Sequence, residues 1–205
     1  KAASARIAKG GRAALSIAFG LSTQRGEHHR SPVGAGDIGN TGVEIMHRSQ
    51  MSALFKDISL EQVSVSMTIN ATAPEMAAFL TLVADEHGTP RHELVMTLQN
   101  SVLKEMLARH THIYGLAGAL RSTSDTMRWM KRHVPHSNAI SATSYHYEEA
   151  GASPMQELAF SLSDVITYME IATANGIDRN EAAANLTGFM AIHNDVPTEI
   201  AKFRA

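Results

Sequence analysis

The stretch "EQVSVSMTIN", residues 61–70, alternates Val63, Val65, Met67 and Ile69 with polar residues; "APEMAAFLTLVADEHG" follows, with Pro74 in a first helical turn and Gly88 at its close. A two-residue period giving way to a helical one marks a strand that feeds a helix. The unit recurs along the chain. "ALSIAFG" (14–20) predicts a first strand and "GVEIMHRSQMSALFKDI" a helix after it. "ELVMTLQN" predicts a third strand, "SVLKEMLARH" a short helix, and "RSTSDTMRWMKRHV" a longer helix after a bend at Gly115 and Gly118. "NAISATSYH" predicts a fourth strand running through Tyr145 and His146, and "SPMQELAFSLSDVITYMEIATANG" a helix capped by Ser153 with Gly176 beyond its end. "NLTGFMAIHND" and "VPTEIAKFRA" supply a fifth strand and a last helix. Strands alternating with helices require a parallel sheet covered by helices, either open and doubly wound or closed into a barrel.

Polar residues end every strand: Thr23 and Gln24, Asn70, Gln99 and Asn100, Tyr145 and His146, then His193, Asn194 and Asp195. In a parallel α/β protein those ends share one face, where barrel enzymes carry their active sites, so the pattern favours a TIM-type barrel. No G-x-G-x-x-G follows the first strand and no Walker sequence occurs, which disfavours dinucleotide and P-loop chemistry. A formal charge of -2 provides no basic field for nucleic acid, the absence of cysteine excludes thiolate metal sites, and no apolar run is long enough to cross a bilayer. A cytoplasmic protein, or one of the mitochondrial matrix in a eukaryote, is expected.

Gln99, Arg109 and His146 are the candidates for chemistry. His146 at a strand end can donate to a carbonyl or act as a general acid, Gln99 can donate to the same oxygen, and Arg109 can pair with a carboxylate or phosphate through its planar fork. Spacing alone equally permits a satisfied glutamine and histidine in the barrel mouth and a solvated arginine. His146, His193 and Asp195 on neighbouring strand ends could also form a two-histidine, one-carboxylate metal site.

Five segments, "LSIAFGLSTQRG", "LFKDISLEQVSVSMTINA", "TLQNSVLKEMLARHTHIY", "SYHYEEAGASPMQELAFSL" and "HNDVPTEIAKFRA", resemble in that order the catalytic barrel of the adenosylcobalamin-dependent acyl-CoA mutases. The resemblance implies that residues 1–205 are one partial barrel domain, about the first five strand-helix units of a (β/α)8 fold. It implies a cobalamin-binding domain or subunit outside this chain, dimerisation with itself or a homologous chain, and an isolated fragment without activity. The implied reaction is a radical carbon-skeleton rearrangement of an acyl-CoA ester, with adenosylcobalamin as cofactor. His146 resembles the residue that hydrogen-bonds the migrating thioester carbonyl, Gln99 its assistant, and Arg109 the holder of a substrate carboxylate. That arginine favours methylmalonyl-CoA or ethylmalonyl-CoA. Phe19, Leu21, Tyr145 and Glu149 resemble cofactor-side residues, and Ser16, Ser66, Thr68 and Thr97 resemble residues that touch the CoA arm or substrate. Departures from the family pattern occur at Gly20, Glu27, Ser101, Gly115 and Asn185. They leave a catalytically inactive barrel subunit as the alternative, and His146, His193 and Asp195 leave a metal-dependent barrel hydrolase or lyase as a further one.

Overall fold

A computed structural model describes residues 13–28, 30–32 and 34–205. Among them five parallel strands run β1 (Ala13–Ala18), β2 (Val63–Thr68), β3 (Val95–Leu98), β4 (Ile140–Thr143) and β5 (Leu186–Phe189). β1, β2 and β3 form one ladder, and β4 and β5 another. Asn138 joins the two: its N–H donates to the Met96 carbonyl at 2.9 Å, and its carbonyl accepts from the Leu98 N–H at 3.0 Å. Spatial order therefore follows chain order, with no reversal of the kind that defines a doubly wound sheet.

The alternation in β2 sorts its two faces. Val63, Val65 and Met67 are buried beneath helices, packed in one core with Met76, Leu80 and Val83 of α3 (Ala73–Glu86, the third helix in chain order). Ser64 and Ser66 point the other way and are exposed. Register carries this across the ladder, because Ser16 pairs with Ser66 and Ser66 with Thr97, so all three lie on the face away from α3. Asn138 extends the rung, its Nδ2 donating to the Thr97 hydroxyl at 3.4 Å. TIM barrels normally fill their interior with branched apolar side chains. Here the face opposite the helices is small and hydroxylated.

Local departures from the expected elements have identifiable causes. The helix after β1 is split into α1 (Leu21–Gln24) and α2 (Arg48–Leu54). Residues 42–45 cannot be helical because Val43 donates to the Ala18 carbonyl and accepts from the Gly20 N–H, each at 2.9 Å, extending β1 by a bridge. The helix after β3 is only α4 (Val102–Lys104), which widens into a π turn over Glu105–Arg109. α5 (Leu116–His133) takes Gly115 as its N-cap and includes Gly118, so the expected glycine bend is a helix start.

The fourth strand ends at Thr143, and Tyr145 and His146 belong to a short helix, α6 (Tyr145–Glu149). The chain turns there because the Tyr147 N–H bonds the Ser144 carbonyl at 2.8 Å, while the Tyr147 hydroxyl reaches Asp164 at 2.9 Å. α7 (Pro154–Ala174) opens with a full capping box between Ser153 and Gln156, an arrangement worth about 1 kcal/mol. A further helix, α8 (Arg179–Ala184), precedes β5 and is capped by Asp178; α9 (Val196–Arg204) follows β5. Among the described residues no helix is long and apolar enough to cross a membrane.

Candidate active site

The C-terminal ends of β2, β3 and β4 deliver Asn70, Gln99 and His146 to one buried polar cluster, completed by Lys104 and Glu105 of the helix after β3. Lys104 is fully buried; its ammonium donates to Gln99 Oε1 at 2.8 Å, contacts Glu105 Oε1 at 2.5 Å and lies 3.3 Å from His146 Nδ1. Asn70 Nδ2 donates to Gln99 Oε1 at 2.8 Å and to Glu105 Oε1 at 2.7 Å, while its own oxygen accepts from the Ser101 N–H at 2.9 Å. Asn100, between Gln99 and Ser101, is left-handed at φ 44°, a conformation asparagine tolerates better than most residues. Its side chain ties the bend to the Ala139 carbonyl and Thr123.

The π turn decides where Arg109 goes. Its winding brings residues five apart to the same side, which places Arg109 beside the Lys104 cluster rather than out in solvent. Arg109 donates to Gln24 Oε1 at 2.5 Å and pairs with Glu105 at 3.5 Å. Gln24 is held in turn through Nε2 by the Phe19 carbonyl at 2.7 Å. Two cations thus flank one buried carboxylate, and Glu105 Oε2 has no hydrogen-bond partner among the described residues.

These surroundings perturb the titrating groups. Burial, followed by repulsion from Lys104 and Arg109, pushes His146 down to about 3. That leaves the imidazole neutral near pH 7, where it can donate a hydrogen bond from one nitrogen and accept one at the other. Burial lowers Lys104 to about 8 against the opposing attraction of Glu105, so its ammonium persists at neutral pH. Burial also raises Tyr145, whose ring lies against His146 with centroids 3.8 Å apart.

The family model described as methylmalonyl-CoA mutase matches residues 1–205. The chain belongs to the methylmalonyl-CoA mutase family. It is 40% identical over 196 residues to the methylmalonyl-CoA mutase of Cereibacter sphaeroides, covering 95% of this chain and 28% of that protein. With the Escherichia coli enzyme it shares 38% over 195 residues, covering 95% and 27%, and with the human mitochondrial enzyme 38% over 198 residues, covering 96% and 26%. The chain spans about a quarter of the length of these curated relatives.

Within this mutase-family chain the expected site residues fall into separate groups. Gln99, Arg109 and His146 converge through Lys104 and Glu105. Ser16, Ser66, Thr68 and Thr97 share the hydroxylated sheet face, with the Thr68 hydroxyl donating to the Ile17 carbonyl at 2.7 Å. Tyr145 and Leu21 are half-buried, Glu149 is exposed, and the Tyr145 and Phe189 rings meet edge to face at 5.1 Å. Phe19 is 1% exposed, its side chain lies in the core, and its carbonyl accepts from Gln24 Nε2.

Four of the residues expected to depart from the mutase-family pattern, at positions 20, 27, 101 and 185, have defined surroundings. A Cβ at Gly20 would come 1.8 Å from Glu44 Oε1, and Glu44 accepts from the Ser22 and Thr23 hydroxyls at 2.7 and 2.9 Å. Glycine at position 20 therefore makes room for a carboxylate that braces the loop. Glu27 pairs with Arg25 at 2.8 Å. Ser101 is buried, its hydroxyl accepting from the Thr143 N–H at 3.3 Å. Asn185 turns back on its own helix, donating to the Glu181 carbonyl at 3.1 Å.

His193 and Asp195 do not join His146. His193 pairs with Glu148 at 3.2 Å, Asp195 accepts from the Thr198 hydroxyl at 2.6 Å, and among the described residues no group of three or more histidine and carboxylate side chains could hold a metal ion. Glu148 belongs to a second cluster around buried Lys202, with Glu157 at 2.9 Å and Glu199 at 2.8 Å, which pins α9 to α7.

Sequence reasoning missed Lys104, Glu105, Asn70 and Gln24 as members of the site. The one available signal was position: Lys104 and Glu105 follow a strand that ends in Gln99 and Asn100, on a helix too short to reach far into solvent.

Proposed function

We propose that this chain is the substrate-holding portion of a (β/α)8 barrel in an adenosylcobalamin-dependent acyl-CoA mutase acting on a carboxyl-bearing ester of the methylmalonyl-CoA or ethylmalonyl-CoA type. The observation that carries the proposal is the hydroxylated rung of Ser16, Ser66, Thr97 and Asn138 leading to Gln99 and His146 at the strand ends. An interior lined by small polar groups leaves a lumen where a packed barrel would have none. A pantetheine arm needs such a passage, with sparse hydroxyls to meet its amides.

In this reading the thioester carbonyl lies against Gln99 and His146. Neutral donors fixed before substrate arrives stabilise negative charge that develops on that oxygen, and they need no reorganisation as it develops. Arg109 uses two of its contacts on Gln24 and Glu105, and its remaining N–H groups serve the substrate carboxylate. Bound adenosylcobalamin supplies the radical chemistry. The half-open aromatic surface of Tyr145 and Phe189 beside His146 suits a large, mostly apolar macrocycle held by a separate domain or subunit. The barrel then keeps water from the reacting carbons. The intact Gln99, Lys104 and His146 cluster favours an active chain over an inactive subunit.

Two substitutions test this in the full-length protein that carries the chain. Ser66→Phe puts a ring into the proposed lumen at an exposed position, and the expected result is a KM for the acyl-CoA raised tenfold or more with cofactor affinity unchanged. An unchanged KM would place the ester elsewhere. Arg109→Gln removes a charged partner worth roughly 1.5–3 kcal/mol, so KM for a dicarboxylic acyl-CoA should rise about 10- to 100-fold. The KM for a monocarboxylic ester should change little, and an equal change for both would remove Arg109 from substrate recognition.

A further inference from the structure

Lys104 makes contact with both groups that face the proposed carbonyl, and the contacts have a polarity. An ammonium can only donate. A backbone N–H can only donate as well, and the Ser101 N–H faces Asn70 Oδ1 at 2.9 Å, which turns the Asn70 amide so that Nδ2 faces Gln99. Gln99 therefore meets two donors, Lys104 Nζ and Asn70 Nδ2, each at 2.8 Å, and both require its oxygen. Among the described residues nothing engages its Nε2, which is the end left for a ligand. The same reasoning applies to the histidine. Lys104 Nζ lies 3.3 Å from His146 Nδ1, so Nδ1 must be the bare acceptor nitrogen and the proton of the neutral ring must be on Nε2.

From this geometry we propose that Lys104 is a positioning residue that sets Gln99 and His146 as donors together, one through its amide orientation and the other through its tautomer. Without the ammonium, Asn70 alone would orient Gln99, and His146 could present a bare nitrogen, repelled by a carbonyl. Glu105 holds the ammonium in place at 2.5 Å, and Asn70 holds Glu105. The charged groups that act on His146 are Lys104 and Arg109 from the segment after β3, and the Tyr145 ring lies against it; Lys104 is in turn acted on by Glu105 and Arg109. Asp164 of α7 acts on Lys104 from behind.

The assignment concerns the state of His146 and holds or fails apart from turnover, although its catalytic consequence rests on the mutase reading. It also carries a pH signature, since Lys104 loses its proton near pH 8 and a neutral amine can accept from Nδ1–H. The test is nitrogen NMR of the full-length protein labelled with 15N-histidine, the His146 signals being assigned by their loss in His146→Gln. At pH 7 His146 is expected as the Nε2–H tautomer. The Nδ1–H form should grow in as pH passes about 8. The double variant Lys104→Met/Glu105→Gln, which leaves no bare buried carboxylate, should show mixed tautomers at pH 7 and a kcat lowered at least tenfold with cofactor affinity retained. An Nδ1–H form at pH 7 overturns the assignment, as does a tautomer unchanged in the double variant. If that variant does not fold, the wild-type protein decides alone, and an Nδ1–H tautomer at pH 7 overturns the assignment.

Discussion

His146→Ala in the full-length protein is expected to lower kcat by roughly 10²–10³-fold, the usual loss on removing a preorganised donor to a developing oxyanion, with a much smaller change in KM. The asymmetry follows from when the contact matters. A carbonyl in the ground state gains little from a neutral donor, whereas the same oxygen bearing charge gains a great deal. Because burial and the neighbouring cations hold His146 down near 3, no imidazolium remains to titrate around the usual value of about 6.5. The wild-type kcat/KM profile should accordingly show no limb at the usual histidine position, and activity that falls as pH rises through about 6.5, with that fall absent in His146→Ala, would support a general-acid role. A kcat within threefold of wild type in His146→Ala would remove the residue from the chemistry altogether.

The second large effect is on stability. Glu105→Gln keeps the shape of the buried side chain but leaves Lys104 without a counter-charge. Breaking a buried pair from one side costs about 3 kcal/mol or more, which should appear as a large fall in the urea midpoint at pH 7. The pH dependence gives the sign. Lys104 is lowered to about 8 in the fold from 10.5. The unfolded chain therefore binds more protons between those values, and this group's contribution makes stability rise with pH across the window. Loss of Glu105 extends the window downward, so the deficit of the variant should shrink as pH rises through about 8 toward pH 10, where the amine is uncharged in both folded proteins, and grow as pH falls from there toward neutrality. A deficit that grows with pH would mean that Lys104 is not the group left uncompensated.

Much of the fold was legible because it rests on local rules. The alternation at Val63, Val65, Met67 and Ile69, the first-turn prolines of α3 and α7, and the Ser153 cap each report one element without tertiary help. Failures occurred where distant contacts override the local pattern. The strand expected to continue through His146 stops because Asp164, on α7, captures the Tyr147 hydroxyl. The helix expected from Gly42 is pulled open by β1. Gln99, Arg109 and His146 were identifiable as polar residues near strand ends, but their convergence depends on Lys104 and Glu105, which in sequence look like an ordinary solvated pair on a helix. Lysine and glutamate are almost never fully buried unless paired, and no local pattern announces the pairing. The left-handed Asn100 and the π turn that aim these residues are likewise products of the packed cluster.

The central claim is that this barrel segment holds a carboxyl-bearing acyl-CoA for a cobalamin-dependent rearrangement. The most direct measurement incubates the full-length protein with adenosylcobalamin and a panel of acyl-CoA esters, together with any separate cobalamin-binding subunit. Isomer formation is followed by mass-resolved chromatography. Conversion of a dicarboxylic ester such as methylmalonyl-CoA or ethylmalonyl-CoA, in preference to monocarboxylic ones, is the predicted result. Cofactor binding without isomerisation of any ester would contradict the claim and leave the chain as an inactive barrel subunit.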